Sequence, residues 1–392
     1  MPFLTDPPSR RDMLRLALKL GVAAPVLGLA AGCTNDMGGL TTGEPVQPAA
    51  TLGSGAVKVG LILPLSAQGG VANTAASMRN AADLALAEFG KANIQIVVFD
   101  DGGTAEGARA AARAAVAQNV ELILGPLLAP AVAAAGQVAK AAGRPVIAFS
   151  TDASVASPGV YLMSFLPASD VQRVVSYAAS QGRTAFAAAI SETPYGNVTA
   201  GAFQQVVPAR QGRIVGLERF SGDNGADAVR RLAGVLAAAD ALFLPDGAAL
   251  PSTAGALPGA GFDKAKVKPL GTSQWNEGSL LRLPALQGGW FAAPPSTGFY
   301  AFSDRYRAKY GGEPSRIASL TYDAVSLVAA LERTQGAARF SEATLTNPSG
   351  FSGADGVFRF RSDGLNDRAL AVYEVRAGDG VAISPAPKSL GS

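Results

Sequence analysis

A group of side chains that could bind a small ligand stands at the ends of short apolar stretches of the sequence. Hydroxyl and amide groups can bind a carboxylate, a carboxylate can bind an ammonium group, and aromatic rings can pack over either. If the stretches are parallel β-strands, these side chains lie at the carboxyl edge of a sheet, where open sheets bind ligands. The candidates are Ser66, Gln68, Ser150, Thr151, Tyr195, Asp246, Trp275 and Glu277.

Charge and aromatic character separate the possible roles within this group. Asp246 and Glu277 are the candidates for binding an ammonium group, and Tyr195 and Trp275 are the candidates for aromatic walls. The Ser150-Thr151 pair is favoured as a ligand contact by its position directly after an apolar stretch. For Asp246 a turn or helix-capping role fits the sequence equally well, and Trp275 is as compatible with packing in a core.

The residue types that most catalytic and metal sites need are missing from the chain. Its 392 residues include no His and a single Cys, Cys33. These absences exclude a histidine-based triad, a histidine zinc site, a CxxC redox pair and an internal disulfide. Ser66 and Ser150 have no histidine to activate them, and no Ser-x-x-Lys motif occurs in the folded part. We therefore expect a protein that is not an enzyme and uses no metal or cofactor.

Composition and length narrow the class of protein further. Hydrophobic residues make up 48% and charged residues 16% of the chain, which is typical of an apolar globular protein. The net charge of +3 is spread over scattered Lys and Arg residues, so no stripe suited to nucleic acid is present. Because single cores stop growing at about 250–300 residues, the length favours two lobes.

The apolar stretches alternate with helical patterns, which predicts βαβ units and a parallel sheet in each half of the chain. We expect the first helix of the second half to be capped by Asp170 and to end at Ser180. A closing hairpin is expected around Asp363-Gly364. Strands are predicted over 57–63, 94–99, 120–124, 145–149, 184–190, 214–220, 241–244, 267–270, 357–360 and 369–375. Further helices are predicted over 74–89, 105–118, 129–142, 196–209, 227–239, 299–310 and 317–334.

These elements predict an α/β protein of two doubly wound parallel-sheet lobes joined by crossover hinge segments. The N-terminal lobe is expected to comprise residues 57–167 plus 298–345. The C-terminal lobe is expected to comprise residues 168–297 plus 346–385.

The N-terminus has the layout of an export signal. Arg10-Arg11 precedes an apolar stretch over 16–31 and resembles the twin-arginine export motif. Leu29–Cys33 resembles a lipobox in which Leu stands one place further from Cys than usual. We expect a signal peptide over 1–33, lipidation at Cys33 and a flexible linker over 34–56. The mature protein would then be a periplasmic lipoprotein, tethered to a membrane by its lipid.

Several of these motifs resemble the type 1 periplasmic binding proteins of the leucine/isoleucine/valine-binding class, over residues 57–381. The resemblance implies that Ala148 and either Ser150 or Thr151 contact the carboxylate and ammonium of an amino-acid-like ligand, and that Tyr195 closes over it. It also implies delivery to an ABC permease. The stretches that carry it are Val59–Ser66, Gly125-Pro126, Ile147–Thr151 and Glu192–Gly196.

The turn Leu127-Leu128 departs from this pattern, since amino-acid binders tend to have a Ser soon after the Gly-Pro turn. Leu127 is still expected to line the ligand site. The stretches 125–128 and 244–247 resemble the lipoprotein activators of penicillin-binding proteins, which share this fold and act on peptidoglycan synthesis. Two roles therefore remain open: capture of a small amino-acid-like ligand for an ABC-type transport system, and contact with a penicillin-binding protein.

Overall fold

The computed structural model describes residues 46–90 and 92–390. The predicted signal peptide over 1–33, which contains Cys33, lies outside the described residues. The first part of the predicted linker, up to residue 45, lies outside them as well. Export and lipidation therefore stay predictions.

Short aliphatic strands form the sheet of the first lobe, and most of their side chains are buried. Runs of this kind suit parallel strands that helices cover on both faces. The strands are β1 (Ala50–Leu52), β2 (Val57–Leu63), β3 (Ile94–Asp100), β4 (Leu122–Leu124), β5 (Val146–Ala148) and β6 (Val160–Leu162). The helices between them are α1 (Gly70–Glu88), α2 (Ala105–Ala117) and α3 (Ala129–Ala141). The strand order is β1-β3-β2-β4-β5-β6, and β1 alone in this sheet is antiparallel to its neighbour.

The second lobe repeats this arrangement. Its strands are β7 (Ala185–Ser191), β8 (Arg213–Phe220), β9 (Ala241–Phe243), β10 (Lys268–Gly271) and β11 (Trp290–Ala293). Its helices are α4 (Pro167–Ser180), α5 (Pro194–Ala209), α6 (Gly225–Arg231), α7 (Ala233–Leu236), α8 (Leu250–Ala256) and α9 (Gly278–Leu281). In both lobes the first parallel strand lies between the second and the third, so the two sheets are wound alike. The predicted fold class is confirmed.

The last part of the chain serves both lobes. It forms α10 (Ser296–Tyr310), α11 (Ala318–Gln335), α12 (Glu342–Leu345), β12 (Phe351–Gly353), β13 (Gly356–Phe360), β14 (Asn366–Arg368), β15 (Ala371–Arg376) and β16 (Asp379–Ser384). Phe302 and Tyr306 of α10 belong to the core of the first lobe, whereas β15 pairs with β11 in the second. Within the described residues the chain thus crosses between lobes at 163–166, at 294–295 and at 369–370.

The structure corrects the predicted start of the folded part. Residues 46–56 were expected to belong to a flexible linker, but β1 pairs with β3 along the edge of the sheet. The backbone N–H groups of Ala49 and Gly55 also donate to carbonyl groups of β3. Their hydrogen bonds extend the first lobe N-terminal to Val57 and cover the edge strand, an arrangement that protects sheets from pairing with other chains.

The predicted closing hairpin is correct in its turn and wrong in its partner strand. Asp363-Gly364 joins β13 to β14, and these strands form a separate small sheet with β12. The stretch predicted as the second strand of this hairpin, 369–375, instead forms β15 and pairs with β11 in the sheet of the second lobe. Phe358 and Phe360 pack in the core of the first lobe. Residues 351–368 therefore belong with the first lobe, whereas the prediction placed them in the second.

Some helix and strand boundaries also differ from prediction. The segment predicted as one helix over 227–239 contains two short helices, α6 and α7. Asp170 does not cap α4, because Leu166 occupies the cap position and Asp170 lies buried in the first turn. The strands β1, β6, β11, β12, β14 and β16 were not predicted, and all of them except β16 have only three or four residues, too few to show a clear apolar pattern.

A close backbone approach at Gly271 provides a test of the packing. A Cβ atom there would lie 2.1 Å from Cε2 of the buried Trp275. We expect Gly271→Ala to destabilise the fold by about 2–3 kcal/mol through overpacking. Gly201→Ala is the matched control, since its Cβ would meet open space in α5 and should stabilise by up to about 1 kcal/mol. Equilibrium urea unfolding measures both, and a neutral Gly271→Ala would contradict the packing described here.

Candidate ligand-binding site

A cavity of about 580 Å³ lies where residues that follow strands of both lobes come together. Thr151 follows β5 of the first lobe, whereas Tyr195 follows β7 and Gln274 follows β10 of the second. Arg316, directly before α11, completes the wall on the first-lobe side. The volume is that of a site for a small molecule, and the position matches the general location of ligand sites in parallel sheets. We call this space the central cavity.

A second cavity, of about 610 Å³, extends into the first lobe. Its walls are mainly apolar and include Leu127, Phe149 and Leu320. Thr151 and Phe165 line this cavity and the central cavity alike, so the two spaces are contiguous. We call the second space the apolar cavity.

A buried carboxylate stands in the second-lobe wall of the central cavity. Asp170 is 4% exposed, and its Oδ2 accepts hydrogen bonds from the backbone N–H and the hydroxyl of Ser273 at 2.9 and 2.6 Å. Burial raises the pKa of Asp170 to about 6, although the two bonds from Ser273 oppose the rise. Because Oδ2 takes both bonds, Oδ1 is left for a donor on a ligand.

Tyr195 is held in place by a chain of hydroxyl bonds in the same wall. Thr272 Oγ1 donates to the carbonyl of Pro245 at 3.0 Å, so Tyr195 Oη is the donor in its 2.7 Å bond to Thr272 Oγ1. Burial, and then the nearby charge of Asp170, raises the pKa of Tyr195 and keeps its hydroxyl protonated. The ring thereby gains a fixed position beside the cavity.

The first-lobe wall contains a guanidinium group between two aromatic rings. The guanidinium carbon of Arg316 lies 4.5 Å from the ring centroid of Phe165 and 4.2 Å from that of Phe299. Behind it, Nη2 pairs with the buried carboxylate of Asp355 at 2.6 Å, and Nη1 donates to Ser319 Oγ at 3.1 Å. Stacking and ion pairing together fix the plane of the guanidinium.

Two further charged groups lie buried behind this wall. Arg368 stacks over Phe165, with its guanidinium carbon 5.1 Å from the ring centroid, and interacts electrostatically with Asp355 and Asp323. Asp323 Oδ1 accepts a hydrogen bond from the backbone N–H of Ala354 at 2.6 Å. Burial, followed by the charge of Asp355, raises the pKa of Asp323 to about 7.

Five of the predicted site residues line one cavity or both. Tyr195 and Glu277 line the central cavity, Leu127 and Ser150 line the apolar cavity, and Thr151 lines both. Ser150 Oγ accepts the backbone N–H of Asp152 at 3.1 Å, so its lone pairs are partly used.

The other predicted site residues line neither cavity, and three of them are buried or hydrogen-bonded within the protein. Trp275 is fully buried, its indole N–H donates to the carbonyl of Leu244 at 2.8 Å, and it therefore forms no aromatic wall. Asp246 accepts the N–H and hydroxyl of Ser191 at 2.9 and 2.7 Å. Ala148 is fully buried in β5. Ser66 and Gln68 lie in the loop after β2 and line neither cavity.

Asp170, Arg316 and the rings of Phe165 and Phe299 were not predicted as site residues. Asp170 was assigned to helix capping, and no strand precedes Arg316 that could have marked it. The order of charges and aromatic residues along the chain offers no signal for this cluster, because it is assembled from three separate segments.

The fold and the two-lobed cavity define a class of solute-binding proteins, and the family comparison agrees. A family model described as periplasmic binding protein matches residues 56–380. The chain therefore belongs to the periplasmic binding protein family, with the type 1 fold that the sequence motifs implied. Membership implies a location outside the cytoplasm, in the periplasm or its equivalent. No curated protein matches the chain.

Solved structures share the fold over nearly their whole length. One described as a branched-chain amino acid ABC transporter from Rhodospirillum rubrum has 24% identity and a TM-score of 0.74, covering 84% of this chain and 100% of its own. A solute-binding protein of Rhodopseudomonas palustris BisB5, in complex with 3,4-dihydroxybenzoic acid, has 23% identity, a TM-score of 0.61 and coverages of 86% and 98%. LivJ of Streptococcus pneumoniae, in complex with isoleucine, has 22% identity, a TM-score of 0.59 and coverages of 84% and 99%.

Among the helices of residues 46–90 and 92–390, none combines the length and the apolar character needed to cross a bilayer.

The buried carboxyl of Asp323 predicts a pH effect on stability. Its folded pKa of about 7 lies above the ordinary 3.8, so the folded state binds the proton more tightly than the unfolded state. The contribution of the protonated Asp323 carboxyl to the free energy of unfolding is fully present below about pH 4 and is lost as pH rises through 7. We expect Asp323→Asn, which cannot ionise, to gain stability relative to the wild type by up to roughly 4 kcal/mol between pH 4 and pH 8. Urea unfolding at both pH values measures it, and an equal difference at the two would contradict it.

Proposed function

We propose that this chain is a non-catalytic solute-binding protein that captures a small amino-acid-like acid between its lobes and delivers it to an ABC-type membrane transporter. The observation that carries the proposal is the central cavity, to which both lobes contribute polar side chains. A ligand that bridges two lobes stabilises their closed arrangement, which is how binding is coupled to recognition by a transporter in hinged proteins.

The charges of the cavity walls favour a ligand with both a donor end and an acidic end. Asp170 and Glu277 line the cavity on the second-lobe side, and Arg316 lines it on the first-lobe side. Thr151 and Tyr195 add hydroxyl groups between them. An ammonium near the carboxylates and a carboxylate near the guanidinium would each replace water by a charged hydrogen bond.

The ligands of the structural relatives have one chemical group in common. Isoleucine is bound by LivJ of Streptococcus pneumoniae, and 3,4-dihydroxybenzoic acid by the Rhodopseudomonas palustris protein. Both molecules carry a carboxylate, on an aliphatic chain in isoleucine and on an aromatic ring in 3,4-dihydroxybenzoic acid. This supports a small carboxylate as the ligand class here.

A panel of small acids tests solute capture. We expect at least one of L-leucine, L-isoleucine, L-glutamate, L-lysine and benzoate to raise the melting temperature, since a ligand at 100 times its Kd stabilises the folded state by about 2.7 kcal/mol. Calorimetry then gives the affinity. Thr151→Trp is the control, because a large ring at the junction of the two cavities should abolish the shift while leaving the unliganded melting temperature unchanged. Failure of every acid in the panel to bind would contradict the capture of a small acid.

We also propose that the mature chain is exported and anchored through a lipid on Cys33, on the strength of the sequence pattern around Arg10-Arg11 and Leu29–Cys33. We expect mass spectrometry of the mature N-terminus to find an acylated Cys33, because a lipobox cysteine is the acceptor of the lipid. Cys33→Ser should release the protein from membranes into the soluble fraction. An unmodified Cys33 in the wild-type protein would remove the anchor.

A further inference from the structure

We propose that Arg316 is the carboxylate anchor of the cleft, with the ligand's carboxylate on its guanidinium and the ligand's apolar body in the cavity lined by Leu127, Phe149 and Leu320. This inference rests on the proposed function of solute capture and specifies the ligand as a monocarboxylate with an apolar body.

The first support is the geometry of the guanidinium. Asp355 and Ser319 each accept one N–H of Arg316, so of its five N–H groups the others remain for a ligand. The side chain lines the central cavity and is 40% exposed, whereas its partner Asp355 is fully buried behind it. Because Phe165 and Phe299 clamp its plane, the fork is already oriented for a carboxylate and little rotational freedom is lost on binding.

The second support is the charge behind the wall. Two guanidinium groups, those of Arg316 and Arg368, interact with the carboxyl groups of Asp355 and Asp323. Asp355 is paired directly with Arg316, but Asp323 has a pKa of about 7 and is only partly ionised at neutral pH. The raised pKa of Asp323 weakens its compensation of the two guanidinium groups, which favours an anion at Arg316.

The third support is the chemistry of the apolar cavity. Its walls are aliphatic and aromatic, so binding becomes more favourable by about 25 cal/mol for each Å² of apolar surface that a ligand buries there. At its rim Asp152 presents a carboxylate, whose Oδ1 accepts two bonds from Ser154. A ligand carboxylate placed beside Ser150 would meet this negative charge. The apolar body fits there better, and Phe165, which lines both cavities and stacks on Arg316, connects the two ends.

This orientation differs from the one that the family resemblance implies, in which Ala148 and either Ser150 or Thr151 contact the ligand's carboxylate and ammonium. The two orientations make opposite predictions for substitutions at Arg316 and at the Ser150-Thr151 pair. They can therefore be separated by measuring affinities for matched acids and amides.

The experiment is calorimetric titration with benzoate and benzamide, and with L-leucine and L-leucinamide. We expect the wild-type protein to bind at least one acid about 100-fold more tightly than its amide, as for a charge-assisted bidentate contact. Arg316→Met should lower the affinity for that acid by about 100-fold and change the affinity for the amide by less than about threefold. Arg316→Lys, which keeps the charge and loses the fork, should lie between the two.

The controls address folding and specificity. Arg316→Met leaves Asp355 buried without its partner, so Arg316→Met combined with Asp355→Asn is measured beside it, and both are checked by their melting temperatures. Arg339→Met is the matched control, because Arg339 also pairs with a carboxylate, Glu121, and lies 5.9 Å from the ring of Phe340, but lines neither cavity. It should bind both acids like the wild type.

The outcomes distinguish the inference from the function on which it rests. If folded Arg316 variants keep the wild-type affinity while Ser150→Ala with Thr151→Val loses it, the anchor assignment is wrong and solute capture stands. If the wild-type protein binds none of benzoate, L-leucine and L-isoleucine, the inferred ligand class is wrong. Solute capture itself fails only if the wider panel of acids is also not bound.

Discussion

A stack of guanidinium groups and aromatic rings at the base of the cleft ties together all three chain crossings described above. Phe165 belongs to the first crossing, Phe299 follows the second, and Arg368 directly precedes the third; Arg316 stands between the two rings. Asp355 balances the charge from a fully buried position. Because loss of Arg316 would leave the fully buried Asp355 carboxylate without its ion-pair partner, this arrangement resists local rearrangement and gives the lobes a common base.

The rest of the cleft depends on that base. After β11 the chain returns past Phe299 into α10 and α11, which contact α1 of the first lobe, and after Arg368 it continues into β15 of the second sheet. The walls above it are held by shorter links, such as the bonds from Ser273 to Asp170. In the lobe closure that the proposed function requires, the charged stack would be the fixed part and the loops that follow the strands would be the movable parts.

The two contiguous cavities suit different parts of a ligand, a charged or polar part in one and an apolar part in the other. Polar and charged groups surround the central cavity, and hydrocarbon surrounds the apolar cavity. The apolar turn Leu127-Leu128, which departs from the pattern of amino-acid binders, lies in the wall of the apolar cavity. Its side chains thus suit the body of a ligand and not its charged end.

Local patterns in the sequence determined most strands of the two large sheets, the winding of both lobes and the loop positions of Thr151, Tyr195 and Glu277, because strand and helix periodicity are properties of neighbouring residues. Tertiary structure alone decided which of those positions reach the cavity and which, like Trp275, enter the core. It alone decided that 369–375 pairs with β11, since strand pairing is a long-range choice. Arg316 gained its role in the same way: stacking, burial and ion pairing depend on partners that only the folded chain brings within contact distance.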